Sequence, residues 1–325
     1  MGNYGIFLCC NQQYLPFLHV LFNSLEKHKI NIPVELLYYN FPEDYIKYAQ
    51  DKFSFPIIPT EIKREDFQIH KFNEKNNNLF IKQSRFKYIY DKGVKYDAIC
   101  MLDTDMFVCT HNIMNLFDLV KDTNKLIACN ERFKWNFGSR YHFNNEPIFE
   151  KGVKALKFHC SVPLFFDLKR WILEFNYYNK IALNTFEVDD KQNIVKPVGD
   201  IYCWNISVYK NNRQDDVILF PMQTMTQVHY TYAQPWTELR KEGDNWVTFD
   251  GDEVFFIHGR IGNPAWAEGQ LRGVKKRIED RGMPFNENRV TGVLNKFKKE
   301  WYTLAYKSAV SLEPFITCDK YKHLL

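Results

Sequence analysis

The chain has 325 residues, 45% of them hydrophobic and 25% charged, which fits a folded globular protein of one large α/β domain or two smaller ones. A formal net charge of only +4 argues against a nucleic-acid-binding protein, and no apolar run approaches the length of a membrane-spanning helix. Because the N-terminus lacks the pattern of a secretory signal and the eight cysteines form no C-x-x-C pair, we expect a cytoplasmic protein with buried, reduced thiols.

Strand-like and helix-like segments alternate through the first half of the chain. Short apolar runs predict strands at residues 4–10, 34–39, 57–58, 97–102 and 126–130. Helical spacing of apolar residues predicts helices from near Pro16, from Pro42 and Glu43, and over residues 79–92 and 113–120. This alternation indicates an α/β fold with a mainly parallel, doubly wound sheet flanked by helices, whose ligands lie beyond the carboxyl ends of the strands.

The rest of the chain is less regular. Residues 61–78 are polar and read as a loop, and the pattern is irregular from Arg132 to about Gly152. Further ordered segments are expected at residues 162–171, 202–209, 217–220 and 254–258. Beyond Trp266 the sequence turns basic and helical, so we divide the chain into a main domain of residues 1–266 and a helical extension of residues 267–325 packed on it.

The strongest chemical signal is the pair Asp103 and Asp105, separated by Thr104, directly after an apolar strand. Carboxylates at this spacing can converge on one point, where their repulsion is relieved by a hard divalent cation such as Mn²⁺ or Mg²⁺. Such an ion would bridge to a diphosphate. Two alternatives stay open: a solvated turn at a strand end, or a phosphatase or phosphotransferase with Asp103 as nucleophile, although Phe107 departs from the residues usual in that class.

Five segments in order resemble the nucleotide-sugar glycosyltransferases of the GT-A fold, most closely glycosyltransferase family 8. They are residues 5–15, 82–90, 102–106, 161–171 and 256–266, so the similarity covers most of the chain. The resemblance implies a GT-A domain, a Rossmann-like fold for nucleotide-diphospho-sugars, and transfer of a hexose from a nucleoside diphosphate sugar, UDP-linked, to a glycan hydroxyl. It also implies that the anomeric configuration is retained.

The same resemblance suggests where the donor binds. The end of the first strand, Cys10 with Asn11, and the aromatic Tyr14 would line the nucleotide base, although packing at the helix entry is an equal role for Tyr14. Either Arg85 or Lys82 would supply the basic residue that faces the donor.

For the metal, the resemblance implies that Asp103 and Asp105 are joined by His258, with Thr104 between the aspartates facing the donor. An isolated histidine after an apolar strand is more often structural than a ligand, but the upstream acidic pair favours the metal role. An imidazole beside two carboxylates suits Mn²⁺ better than Mg²⁺.

One departure from the family pattern concerns a charged residue. The late motif ends Asn263-Pro264-Ala265-Trp266, without the family's lysine, and Arg260 is the candidate to replace its positive charge. The family's acidic residue near the reacting sugar corresponds to Asp200, where it would bind the acceptor hydroxyl or stabilise positive charge at the anomeric carbon. A surface turn is the alternative for Asp200.

The basic C-terminal segment mixes lysine and arginine with apolar residues. A helix of this kind either packs on the main domain with its charges in solvent or lies on an anionic membrane surface, which would suit a glycolipid acceptor. The expected partners are therefore a nucleotide-sugar donor and a glycan or glycolipid acceptor, with no nucleic acid. A non-catalytic carbohydrate-binding protein is a further alternative, which the missing lysine favours.

Overall fold

The computed structural model describes fifteen stretches of the chain. They are residues 2–42, 44–63, 77–132, 135–136, 141–143, 146–149, 154–155, 158–182, 185–188, 194–221, 224–227, 240–243, 245–248, 251–258 and 303–316. Most of the predicted loop at 61–78 and most of the extension at 267–325 lie outside them. Among the described residues, no helix has the length and apolar character needed to cross a membrane.

Strands and helices follow one another much as the sequence predicts. The strands are β1 (Tyr4–Asn11), β2 (Val34–Tyr39), β3 (Ile57–Glu61), β4 (Ala98–Met101), β5 (Met106–Val108), β6 (Leu126–Arg132), β7 (Trp135–Asn136), β8 (Tyr141–Phe143), β9 (Glu146–Pro147), β10 (Lys154–Ala155), β11 (Phe158–Phe166), β12 (Thr185–Val188), β13 (Ile194–Pro197), β14 (Val217–Phe220), β15 (Met225–Gln227), β16 (Arg240–Glu242), β17 (Asn245–Val247) and β18 (Phe256–His258). The helices are α1 (Leu15–Lys27), α2 (Tyr45–Lys52), α3 (Asn77–Lys92), α4 (Ile113–Thr123), α5 (Leu168–Ile181), α6 (Asp200–Lys210) and a seventh, α7, over residues 303–311.

A seven-stranded sheet forms the centre of the molecule, in the order β14-β6-β11-β4-β1-β2-β3. Every neighbouring pair is parallel except those of β11, which runs antiparallel to both β4 and β6. The sheet is therefore mainly parallel and flanked by helices, as predicted. The single reversed strand was not predicted, because an apolar run reveals burial but not strand direction.

The two faces of the sheet carry different helices. Along β1, Tyr4 stacks on Phe117 of α4 with ring centroids 5.0 Å apart, whereas Phe7 meets Tyr88 of α3 edge-to-face at 5.8 Å. Side chains three positions apart on a strand point to opposite faces, so α4 and α3 cover opposite sides. Burial on both faces explains why β1 is a continuous apolar run and not an alternating one.

Aromatic packing fixes α3 against the sheet. Phe86 of α3 stacks on Tyr178 of α5 with centroids 3.7 Å apart, and Phe175 lies 4.9 Å from Trp204 of α6. All four rings are essentially buried. The cluster joins α3, α5 and α6 on one face, and it sets the direction in which the preceding residue of α3, Arg85, extends toward the sheet.

A second, three-stranded sheet in the order β15-β18-β5 brings distant parts of the chain together. β18 is antiparallel to β5, with His258 opposite Met106 and Phe256 opposite Val108. The turn between β4 and β5 is closed by the amide of Met106, which donates to the carbonyl oxygen of Asp103 at 3.2 Å. This sheet therefore places the end of β18 beside the aspartate pair.

The one described helix of the C-terminal segment packs on the main domain. Ser308 of α7 donates a hydrogen bond to the carbonyl oxygen of Pro16 in α1 at 2.8 Å, and Ala305, Ala309 and Leu312 are fully buried. Phe315 lies against Tyr48 of α2 with ring centroids 5.0 Å apart. The contact covers the outer side of α1 and α2.

Candidate functional site

Asp103, Asp105 and His258 converge at one point. Each offers a ligand atom, and these atoms all lie within 4.8 Å of one another. The Nε2 atom of His258 is 2.9 Å from Oδ1 of Asp105 and 3.8 Å from Oδ2 of Asp103. The sequence resemblance singled out the same three residues, of which Asp105 and His258 are in direct contact although they are 153 positions apart in the sequence.

Local structure explains this convergence. Asp103 and Asp105 occupy the turn at the carboxyl end of β4, where ligands are expected in parallel sheets. His258 is the last residue of β18, and its register against β5 sets it opposite the residue that follows Asp105. Asp105 and His258 are both buried, while Asp103 is partly exposed.

The residues at this point have the chemistry of a divalent-cation site. Two carboxylates and one imidazole form a mixed oxygen and nitrogen set, which first-row divalent ions such as Mn²⁺ accept. The Nε2 atom of His258 faces both carboxylates, and its buried Nδ1 atom has no hydrogen-bond partner among the described residues. The group therefore fits a metal ion held between Nε2 and the two aspartates.

Arg85 lies beside this group and connects it to Asp200. Its Nη1 atom is 2.5 Å from Oδ1 of Asp103, and its Nη2 atom is 3.3 Å from Oδ2 of Asp200. The guanidinium is only 2% exposed. Burial opposes its charge, but the negative charges of Asp103 and Asp200 raise the pKa of Arg85 overall, so it stays charged.

The two oxygens of Asp103 consequently have different surroundings. Oδ1 accepts from Arg85, whereas Oδ2 is the oxygen nearest to His258. This arrangement leaves one oxygen of Asp103 directed toward the candidate metal position. Sequence reasoning assigned Arg85 to the donor phosphates, and its contacts with two carboxylates were not foreseen, since they depend on α6 lying next to α3.

Asp200 is the first residue of α6, after Gly199 at the N-cap. An aspartate in the first turn is favoured there by the helix dipole, and this position also brings its carboxylate to Arg85. The structure thus joins Asp200 to the aspartate pair through one buried arginine.

The predicted base-binding residues lie at the end of β1. Asn11 is buried and its Oδ1 atom accepts from the backbone N–H of Gln13, which caps the short 3₁₀ turn before α1. Burial raises the pKa of the Cys10 thiol, and a hydrogen bond with the side chain of Thr104 partly opposes this shift. Tyr14 is half-buried, with its ring 6.3 Å from that of Phe17, so it has a packing contact and an accessible part.

Sequence reasoning missed Cys9. This half-buried residue of β1 lies close enough to Arg85 and Asp103 for their charges to act on its thiol. Desolvation raises the pKa of Cys9, against a smaller lowering by Arg85, so the thiol is protonated. Strand alternation places Cys9 on the α3 face of β1, and this is the signal that could have identified it.

Two predicted donor-binding residues cannot be placed beside these. The side chain of Lys82 and the whole of Arg260 lie outside the described residues.

Comparison with known proteins supports the fold. No protein-family model matches the chain, and no curated protein matches its sequence. Among solved structures, the chain is similar to the glycosyltransferase GlyE of Streptococcus pneumoniae TIGR4, with 16% identity, a TM-score of 0.50, and coverage of 93% of this chain and 64% of that one. It is also similar to an active-site mutant of LgtC, with 14% identity, a TM-score of 0.50, and coverage of 84% and 95%.

A third similar structure is the apo form of the bifunctional glycosyltransferase WbbM, with 12% identity, a TM-score of 0.52, and coverage of 86% of this chain and 52% of that one. The chain thus spans less than two thirds of GlyE and WbbM but nearly all of LgtC. At these identities the similarity establishes architecture. The chain has the GT-A fold of glycosyltransferases, as its resemblance to family 8 predicted.

Proposed function

We propose that the protein is a metal-dependent glycosyltransferase that moves a hexose from a nucleoside diphosphate sugar, UDP-linked, to a hydroxyl of a glycan or glycolipid acceptor. The observation that carries the proposal is the convergence of Asp103, Asp105 and His258 within 4.8 Å at the carboxyl end of β4. The GT-A fold supports it, because this edge of the sheet is where such folds bind their ligands.

Asp103, Asp105 and His258 would hold Mn²⁺, or Mg²⁺ as the alternative. When bound, the ion would supply Lewis-acid stabilisation of the diphosphate that leaves the sugar. The carboxyl end of β1, with Cys10, Asn11 and the accessible part of Tyr14, would take the nucleotide base.

Within the chain, Arg85 acts as a positioning residue. It holds Oδ1 of Asp103, so that Oδ2 turns toward the candidate metal position, and it fixes Asp200 on its second nitrogen. A carboxylate held in place by a buried guanidinium suits the electron-poor anomeric carbon of a departing sugar. We therefore assign Asp200 to the sugar side of the site, where it stabilises positive charge or orients the acceptor hydroxyl.

The test is a thermal-shift screen of nucleoside diphosphates and nucleotide sugars, with and without Mn²⁺. A ligand that binds only the folded protein raises the melting temperature by mass action. We expect a Mn²⁺-dependent shift with one nucleotide, which Asp105→Ala abolishes and which Asp91→Ala, on the exposed side of α3, retains.

Turnover is measured next, as release of the free nucleoside diphosphate in the presence of a glycan acceptor. Release that depends on Asp105 supports the enzyme. A metal-dependent shift without release would favour the non-catalytic carbohydrate-binding alternative, and absence of any shift would overturn the nucleotide-sugar assignment altogether.

A further inference from the structure

A cavity of about 560 Å³ lies apart from the candidate metal site. It is bounded by α1, β5, the β16–β17 hairpin and α7, and none of its described lining residues belongs to the predicted donor or metal site. Because α7 forms one of its walls, the cavity exists only when the C-terminal segment is docked on α1.

The lining of this cavity is strongly basic. Lys27, Lys52, Lys241 and Lys307 contribute side chains to it, and none of the described lining residues is acidic. Like charges brought around one concave space repel each other, and concave surfaces of one sign concentrate the electrostatic field. An anion in the cavity would relieve this repulsion.

Two nearby carboxylates have partners outside the cavity. Glu26 of α1 accepts hydrogen bonds from the backbone N–H and the hydroxyl of Ser54, both at 2.9 Å. Glu253 accepts two from the amide of Asn112, at 2.8 and 3.1 Å. Their hydrogen bonds are thus to groups other than the four lysines, and Glu253 acts electrostatically with Lys27 and Lys241 on the Cys109 thiol in the cavity wall.

One of the four lysines is held in place. The Nζ atom of Lys52 lies 3.0 Å from Nε2 of His19 and 2.9 Å from the hydroxyl of Tyr48. Burial, and to a lesser extent Lys52, lower the pKa of His19 to about 3, so the ring is neutral and accepts from the ammonium at Nε2. These two contacts use two of the three N–H bonds of the Lys52 ammonium, and the third can donate to another acceptor.

The cavity also has aromatic walls. Trp246 and Phe107 line it, and the Nζ atom of Lys241 lies 4.9 Å from the centre of the Trp246 ring. An ammonium next to an aromatic face suits a ligand that combines an anionic group with an organic body. Lysine is also a common partner of phosphate, to which it offers a compact charge and three donors.

We propose that this cavity binds a phosphate group carried on an organic ligand, with Lys27, Lys52, Lys241 and Lys307 around the phosphate and Trp246 against the organic body. The site is separate from the proposed metal and donor site and does not depend on it. Its occupant touches β5, the strand that begins directly after Asp105. A soluble phosphorylated compound and a phospholipid headgroup share this chemistry.

The test uses pyrophosphate as a probe with the full-length protein in EDTA. EDTA removes divalent ions and so prevents metal-dependent binding at the aspartate pair. Isothermal titration calorimetry compares the wild type with the double variant Lys27→Gln, Lys307→Gln. We expect the double variant to bind roughly tenfold more weakly, and added salt to weaken wild-type binding, because the attraction is largely coulombic.

A matched control is Lys121→Gln. Lys121 is an exposed lysine in the last turn of α4, just as Lys27 is in the last turn of α1, and it does not line the cavity. It should bind pyrophosphate like the wild type. Absence of wild-type binding, or equal binding by the double variant and the wild type, would overturn the proposal and leave the nucleotide-sugar proposal untouched.

A second arm separates the two sources of phosphate. The protein is sedimented with vesicles of phosphatidylglycerol and phosphatidylcholine. If the wild type sediments with the vesicles, the double variant does not, and pyrophosphate prevents the sedimentation, the ligand is a lipid headgroup. Pyrophosphate binding without such sedimentation identifies a soluble phosphorylated ligand. Both results support the phosphate site.

Discussion

Replacing Arg85 with methionine removes the cation that joins Asp103 to Asp200. Loss of one partner from a buried ion pair costs about 3–5 kcal/mol, because the remaining charge is left desolvated. The side chains of Asp103 and Asp200 are 20% and 11% exposed, so water compensates in part, and we expect the lower end, about 3 kcal/mol.

This loss can be expressed as a melting temperature. With an unfolding entropy of about 2.1 cal/mol/K per residue, a chain of 325 residues has an unfolding entropy near 0.7 kcal/mol/K, so about 3 kcal/mol corresponds to ~4 °C. Arg85→Lys keeps the charge, but its single nitrogen cannot reach both carboxylates as the guanidinium fork does, so we expect an intermediate loss.

The same substitution, which lowers the stability of the fold, should strengthen metal binding. Arg85 holds Oδ1 of Asp103 and places positive charge next to the candidate metal position. Without it, the positive charge that repels the ion is gone. At an effective dielectric constant of about 20, two unit charges ~5 Å apart interact by about 3 kcal/mol, so Mn²⁺ should bind Arg85→Met more than tenfold more tightly than the wild type.

Differential scanning calorimetry gives the first quantity, and isothermal titration with Mn²⁺ gives the second. Lys87→Met is the matched control, since Lys87 is an exposed cation two positions further along α3. If Arg85→Met had the melting temperature and Mn²⁺ affinity of this control, the assignment of Arg85 as the residue that orients Asp103 would be wrong.

Two further predictions concern stability. Burial lowers the pKa of His19 in the folded protein from 6.5 to about 3. Between these two pH values the unfolded chain takes up a proton that the folded protein does not. The free energy of unfolding therefore falls with decreasing pH, by up to ~1.4 kcal/mol per pH unit. Urea titrations should show a flatter dependence for His19→Gln, and parallel curves would contradict this. Glu35 is buried, accepts from Tyr88 and Tyr96, both at 2.7 Å, and pairs with Lys95 at 2.6 Å. Glu35→Ala should therefore cost about 3 kcal/mol in the same assay. Glu35→Gln should cost less because it keeps acceptors for the two tyrosines, and equal losses would assign the stabilisation to the ion pair with Lys95.

Local patterns in the sequence were sufficient for most elements of the main sheet. The run from Val34 to Tyr39 was predicted with the bounds of β2, because an apolar run flanked by turn residues is set by burial alone. Element ends were less certain: residues 202–209 were marked only as an ordered segment, whereas the helix begins at Asp200 after Gly199. The aspartate pair was identifiable because both residues belong to a single strand end.

Long-range relations required the tertiary structure. His258 was named through a family resemblance, but its contact with Asp105 depends on the register of β18 against β5, which no local pattern encodes. The pairing of Arg85 with Asp200 depends on the aromatic contacts that place α6 beside α3.

The alternation of strands and helices and the acidic pair at a strand end can be read from local patterns, because they follow from burial periodicity over a few neighbouring residues. Which distant groups share a site cannot be read in this way: the histidine across the second sheet, the arginine between two carboxylates, and the basic cavity under α7. Such contacts arise from strand register and helix packing, which join residues more than a hundred positions apart.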